Sequence, residues 1–277
     1  MKYILLSLGW ILSATIACSA GAAGSCQMSY KVQPGQIWVS EVTSQFKSTA
    51  AEAEAMPPTR FSVRYRILKG DRRGWVKVEA KFIAHSAQVE GGPDYTKLTY
   101  TADMHRSGEL RNVAHTGSAM PPLPKEQMDA LPPQYAAMMA QSNDMMAKGL
   151  QTGVFWFPEL PENQLSVGDS FDDVQKSDLG NSAMMQVQTV VKTEYTLEDV
   201  SQGLAYFSVR QRSQSKVSGM GSKMDTRAVG KADAIFDLEQ GMWVEMTTKT
   251  QTASSFGDAG SGGTGGLQVS RYRMQRQ

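Results

Sequence analysis

The chain has 277 residues, only two cysteines, and 28 Lys and Arg against 27 Asp and Glu, for a formal net charge of +1. Two cysteines exclude an internal disulfide framework, and the balanced charge disfavours nucleic-acid binding through a broad basic surface. The length suffices for one large domain or two small ones held together by an apolar core.

Residues 1–26, MKYILLSLGWILSATIACSAGAAGSC, place a lone Lys2 before an apolar run to Ala17 and then small residues, the pattern of a bacterial export signal. Two processing routes fit it. Cleavage within Ala20-Gly21-Ala22 or Ala22-Ala23-Gly24 makes residues 1–22 a signal peptide. Alternatively, Thr15-Ile16-Ala17-Cys18 resembles a bacterial lipoprotein box, with Thr15 where Leu is usual; lipidation at Cys18 would then remove residues 1–17 and leave the Ser/Ala/Gly run as a tether. The expected location is the periplasm, or the outer membrane as a lipoprotein, with membrane contact only through that anchor. The apolar run is short for a helix that must cross about 30 Å of hydrocarbon. Either route leaves Cys26 as the single thiol, and removal of Lys2 leaves 27 basic against 27 acidic side chains.

From Ser29 onward the pattern is that of strands. Gln33-Pro34-Gly35-Gln36 is a turn that launches a strand over Ile37–Phe46, and the AEAEA loop that follows is stopped by Pro57-Pro58. Phe61, Val63, Tyr65 and Ile67 alternate with Arg60, Ser62, Arg64 and Arg66, the period of two that a half-buried strand requires. The turn Lys69–Gly74 leads into Trp75–Phe82, where Val76, Val78, Ala80 and Phe82 alternate with lysines and Glu79, giving an antiparallel pair with one wet face.

The same grammar returns about 130 residues later. Val167-Gly168-Asp169 answers Pro34-Gly35-Gln36, Val191–Leu197 answers Phe61–Ile67, Ser201-Gln202-Gly203 answers Arg72-Arg73-Gly74, and Asp237–Gly241 answers Asp103–Gly108. Four landmarks in one order predict an internal duplication. The expected fold is mainly β: two repeated antiparallel modules, 29–120 and 151–277, joined by a short Met-rich helical connector, 121–150, with the modules either sharing a sheet or packing as lobes.

In the connector, Pro124–Leu131 reads as one short helical turn and Pro133 as the first position of a second helix that ends before Gly149. Tyr135, Met138, Met139, Ser142, Met145 and Met146 fall along one side of it. Such a stripe covers an open sheet face or, with adaptable thioethers, contacts an apolar ligand. Tyr135, Met138, Met139, Met145 and Met146 are the candidate ligand contacts.

Phe155-Trp156-Phe157-Pro158-Glu159-Leu160-Pro161-Glu162 reads as a proline-stiffened linker whose aromatics dock on a core. With Gln164–Phe171 after it, this passage resembles an uncharacterised bacterial envelope family that carries an export or lipoprotein signal, a mid-chain Leu-Pro segment followed by Gly-Asp and an aromatic residue, and repeated β-hairpins. Here Phe171 stands where that aromatic residue is usually Trp. The resemblance implies a domain of unknown function and supplies no catalytic residues. A curved sheet with a helix over it also resembles the half-barrel carriers that move lipids or lipoproteins across bacterial envelopes.

Chemistry has few candidates. His85, His105 and His115 lack metal-helix spacing and cysteine partners, so no metal or cofactor is expected. Asp172-Asp173, Glu159 and Glu162 offer paired carboxylates only in the sense that any acidic loop does. There is no G-x-S-x-G elbow and no dinucleotide fingerprint, and Gly257–Gly266 reads as a flexible connection to a last strand over Leu267–Met274. Two non-enzymatic functions fit: a cell-envelope protein binding an apolar ligand or lipid portion, or an envelope-tethered module that engages another protein or serves as structure.

Overall fold

In a computed structural model of the protein, the described residues are 24–48, 57–86, 92–121, 132–182, 185–219, 222–256 and 263–277. Cys18 and the export signal, the AEAEA loop, Pro124–Leu131 and residues 257–262 lie outside them. The first half contributes β1 (Ser25–Cys26), β2 (Ile37–Ser48), β3 (Thr59–Lys69), β4 (Trp75–His85), β5 (Thr99–His105) and β6 (Leu110–Thr116). After helix α1 (Pro133–Val154) come β7 (Leu165–Ser166), β8 (Ser170–Ser182), β9 (Met185–Ser201), β10 (Leu204–Gly219), β11 (Ser222–Asp237), β12 (Met242–Phe256) and β13 (Gly263–Arg276).

Strands β2 to β6 and β8 to β13 form one antiparallel sheet in the order β6-β5-β4-β3-β2-β13-β12-β11-β10-β9-β8, and β1 pairs with β7 in a small second sheet. Every neighbour in the large sheet is also a neighbour in sequence except the β2–β13 seam, which runs from Arg276 opposite Trp38 to Gly266 opposite Ser48. The two halves are therefore not discrete modules: a continuous ladder of backbone hydrogen bonds joins them. Both end strands, β6 and β8, line the same cleft, so the sheet curls until its edges face each other.

The alternation in β3 and β4 holds. Val63, Tyr65, Ile67, Val78, Ala80 and Phe82 are buried while Arg60, Arg64 and Arg66 are exposed. The recurring turns also have the same backbone geometry. Gly35 at φ +94° donates to the Ile67 carbonyl (2.8 Å) and Ile67 donates to that of Gln36 (2.9 Å); Gly168 at φ +93° donates to Leu197 (2.8 Å) and Leu197 to Asp169 (2.9 Å). Both glycines hold a left-handed conformation that costs any other L-residue about 1–2 kcal/mol. Trp38 then lies opposite Tyr65 as Phe171 lies opposite Tyr195.

One core serves both halves. Trp243, 1% exposed, packs its ring within 6 Å of Trp156, Tyr195, Phe207 and Phe236, and its indole donates to Tyr30 Oη at 3.1 Å. The strands of the second half are longer, 13 to 17 residues against 7 to 12, and β10 spans about 50 Å at the usual rise per residue. Beyond Val209 and Ala232 their inward positions pass to Ser213, Ser215, Ala228 and Thr226. There hydroxyls bridge neighbouring strands, Thr189 to Ser215 at 2.7 Å and Thr226 to Ser254 at 3.0 Å.

The strands over Ile37–Phe46 and Trp75–Phe82 run on to Ser48 and His85, and two other boundaries differ further from those expected. The helix does not stop before Gly149 but runs to Val154, because tertiary contacts hold its last two turns: Tyr100 Oη donates to the Ala147 carbonyl (3.0 Å) and Tyr65 Oη to that of Val154 (2.7 Å). A mid-helix glycine weakens a helix by about 1 kcal/mol, less than such anchoring restores. The last strand begins at Gly263, not Leu267, since pairing with β12 and β2 draws Gly263–Gly266 into the ladder.

Candidate functional site

A cleft of about 500 Å³ lies between the two edges of the sheet. Its floor comes from the linker after α1. Phe155 and Phe157 are buried; Tyr30 Oη donates to the Pro158 carbonyl (3.0 Å) and the Leu160 amide to the Ser107 carbonyl (2.6 Å). Phe157 meets Tyr30 and Tyr65 edge to face, at 5.8 and 5.7 Å between ring centroids. The expected docked, proline-stiffened linker is what forms this floor. Leu110 and Val113 of β6 make one wall, Leu179 and Val191 of β8 and β9 the other. Gly149 and Gln151 of α1 close one side.

The charged groups of the cleft are Glu109, Glu159, Asp173 and Lys176. Arg111 holds Glu109 at 2.7 Å. Asp173 follows Phe171 by two residues on β8 and so shares its inward face, while Asp172 points out and pairs with Lys192 at 2.8 Å. Asp173 accepts hydrogen bonds from the Gln175 side chain (3.0 Å) and the Glu159 amide (3.5 Å), and no Lys or Arg among the described residues lies within 4 Å of it in an ion pair. Burial pushes its carboxyl above the ordinary carboxylate range, against the pull of those two hydrogen bonds. The Tyr195 phenol behind it is pushed up by burial first and by the Asp173 charge second. Lys176 belongs to the outward register of β8 and is exposed, so it reaches the cleft only at the rim.

The methionine stripe contributes differently from its spacing. Tyr135 and Met139 are 49% and 37% exposed, Met145 and Met146 are half-buried, and the side chain of Met138 lies outside the described residues. Among the described residues, the side of α1 that meets the core is Met146, Ala147, Leu150 and Val154, all in the second half of this helix of about 33 Å. Tyr135, Met139, Met145 and Met146 do not line the cleft.

The histidines are dispersed. His105 Nδ1 lies 2.9 Å from Ser107 Oγ with its ring against Trp75, and His115 on β6 lies 3.6 Å from the Asp144 carboxylate of α1. Among the described residues no group of three or more His, Cys, Asp or Glu side chains could hold a metal ion, and no helix is long and apolar enough to cross a membrane. In the sequence Asp172-Asp173 reads as an acidic pair; the alternation Phe171, Asp173, Gln175 after the Gly168 turn carries the signal that Asp173 alone faces inward.

No known protein family matches the chain, and no curated protein does. Among solved structures, it aligns with the attachment invasion locus protein Ail of Yersinia pestis at 6% identity and a TM-score of 0.19, covering 88% of this chain and 100% of that one. A putative exported protein with a YmcC-like fold from Bacteroides fragilis aligns at 10% identity and 0.29, over 90% and 100%. A protein of unknown function from Nostoc punctiforme aligns at 10% and 0.13, over 87% and 96%. Likeness at this level carries no argument about function, which rests on the cleft itself.

Proposed function

We propose that this is a non-enzymatic protein of the bacterial cell envelope that holds the apolar part of an amphiphile, such as a lipid portion, in the cleft between β6 and β8. The observation that carries the reading is an aromatic floor of Phe155 and Phe157 between aliphatic walls, with the charges gathered around it, in a space of about 500 Å³. That volume is within the range of small-molecule sites, and the division into apolar floor and polar surround suits a ligand with two unlike ends. The export pattern of residues 1–26 supports the envelope location, and the matching Gly35 and Gly168 turns support two duplicated halves around the one cleft. The exposed Tyr135 and Met139 extend the apolar surface of α1 away from the cleft and would contact a ligand only if it reaches beyond the walls.

Organic extraction of the full-length protein purified from its own envelope, followed by mass spectrometry, tests the reading. A stoichiometric lipid is expected in the wild type and at least about tenfold less in Val113→Trp, which fills the cleft; a bare wild-type protein that also ignores alkyl probes overturns it. Intact mass of the same sample is expected to show loss of residues 1–17 with acyl groups on Cys18, or a plain terminus after cleavage. A chain still beginning at Met1 overturns the location.

A second reading, an envelope-tethered module that binds another protein, is favoured by the unpaired edge of β8, the terminal strand of the sheet among the described residues, and by exposed Val167 in the turn leading into it. Val167→Lys, at an exposed position outside the cleft lining, is expected to abolish recovery of a recurring partner from intact envelopes while leaving lipid content unchanged.

A further inference from the structure

We infer that the ligand of the cleft carries a protonated amine at its polar end, with Asp173 as the counter-charge. This rests on the cleft being the binding site. The first argument is comparison within the fold. The register that sets Trp38 against Phe171 and Tyr65 against Tyr195 sets Ser40 against Asp173. Ser40 is buried and its hydroxyl lies 3.3 Å from Tyr65 Oη, so a small neutral residue satisfies the framework at that position. A carboxylate is not what the sheet needs there. The second argument is charge. Arg111 neutralises Glu109, Lys176 belongs to the outer register, and Glu159 and Asp173 face the remaining space without a cation from the described residues within ion-pair distance. A partly buried carboxylate with two neutral hydrogen-bond donors but no counter-charge is costly to a fold, and its presence beside an apolar floor is explained when a ligand brings the cation. An ammonium can donate to Asp173 while the alkyl part of the same molecule lies on Phe155 and Phe157.

The experiment is calorimetric titration of the full-length protein with decylammonium, decyl maltoside and decyl phosphate, each below its micellar concentration. The expected order of affinity is decylammonium, then the neutral maltoside, then the phosphate. In Asp173→Asn, and in Asp173→Ser, which installs the residue of the equivalent position, the ratio of decylammonium to maltoside affinity is expected to fall about tenfold, as for loss of one partly desolvated charge pair. If the wild type prefers decyl phosphate, or if both variants keep the wild-type ratio, the amine assignment is wrong while the cleft stands, provided Val113→Trp still abolishes maltoside binding. If no probe binds, or Val113→Trp changes nothing, the cleft reading fails and the amine with it.

Discussion

Tyr65 and Tyr195 occupy equivalent places on β3 and β9, yet their surroundings have diverged. Around Tyr65 the position is closed: Ser40 lies beside its hydroxyl and α1 accepts its proton at Val154. Around Tyr195 the equivalent of Ser40 is Asp173, and the sheet opens into the cleft. The helix is gripped by Tyr65 and Tyr100 of the first half and meets β8 of the second beside the cleft, and the long strands of β8 to β13 continue past the core. The difference shows that one strand grammar can build either a closed wall or an open one, depending on what is laid over it.

The sharpest way to break the comparison is to remove what the halves share. Trp243→Ala is expected to cost about 4 kcal/mol, the usual range for deleting a buried aromatic, and to unfold both halves together. Amide exchange resolves this: loss of protection in β10 with β4 left intact would mean that the halves are independent. Tyr65→Phe is next. It leaves the last carbonyl of α1 unsatisfied in a buried setting, for an expected cost of about 2 kcal/mol by urea denaturation. Tyr195→Phe, whose hydroxyl anchors no helix carbonyl, should cost less.

Gly35→Ala and Gly168→Ala should each cost about 1 kcal/mol, and equally. Both glycines have positive φ and open space where a Cβ would sit, so only backbone strain is introduced. Unequal midpoints would break the equivalence of the two turns. The smallest effect is expected at Asp173. Its folded-state pKa is raised above the ordinary 3.8, so the folded chain holds the proton more tightly than the unfolded one. Stability therefore falls as pH rises from that ordinary value through the raised one, and the ionised group is a burden above it. Without ligand, Asp173→Asn is expected to be more stable than the wild type at pH 7, by somewhat under about 1 kcal/mol, and equal to it once both forms are neutral in acid. A variant less stable at pH 7 would mean that the carboxylate is structural.

Much of the frame was legible because burial leaves a period. The alternation from Phe61 to Ile67 identified β3 and its inner face, and the glycine turns located the hairpins. The distal halves of β9 to β12 were not legible, since runs such as Ser213–Ser218 and Thr247–Thr252 present polar residues on both faces and give no alternation; ladder bonds and bridging hydroxyls hold them instead. The end of α1 was misplaced because the tyrosines that anchor it are far away in sequence. The methionine spacing marks one side of a helix, but which part of that helix meets the core depends on where Tyr100 and Tyr65 grip the backbone. Asp173 was hidden by its neighbour: Asp172-Asp173 looks like an exposed acidic pair until the strand register separates the two.

The β2–β13 seam joins residues from opposite ends of the chain, as in the hydrogen bond from Gln268 to Ser44 across 224 positions. Until synthesis delivers Gly263–Arg276, β2 and β12 both present bare edges, and these edges are the ones that become the middle of the sheet. The closing step must therefore follow synthesis of Gly263–Arg276 and bring it to a strand far away in sequence, which favours slow folding and prolonged exposure of two sticky edges. A nascent chain of this design keeps both edges bare until β13 arrives, and that fourteen-residue strand acts as a keystone rather than an appendage.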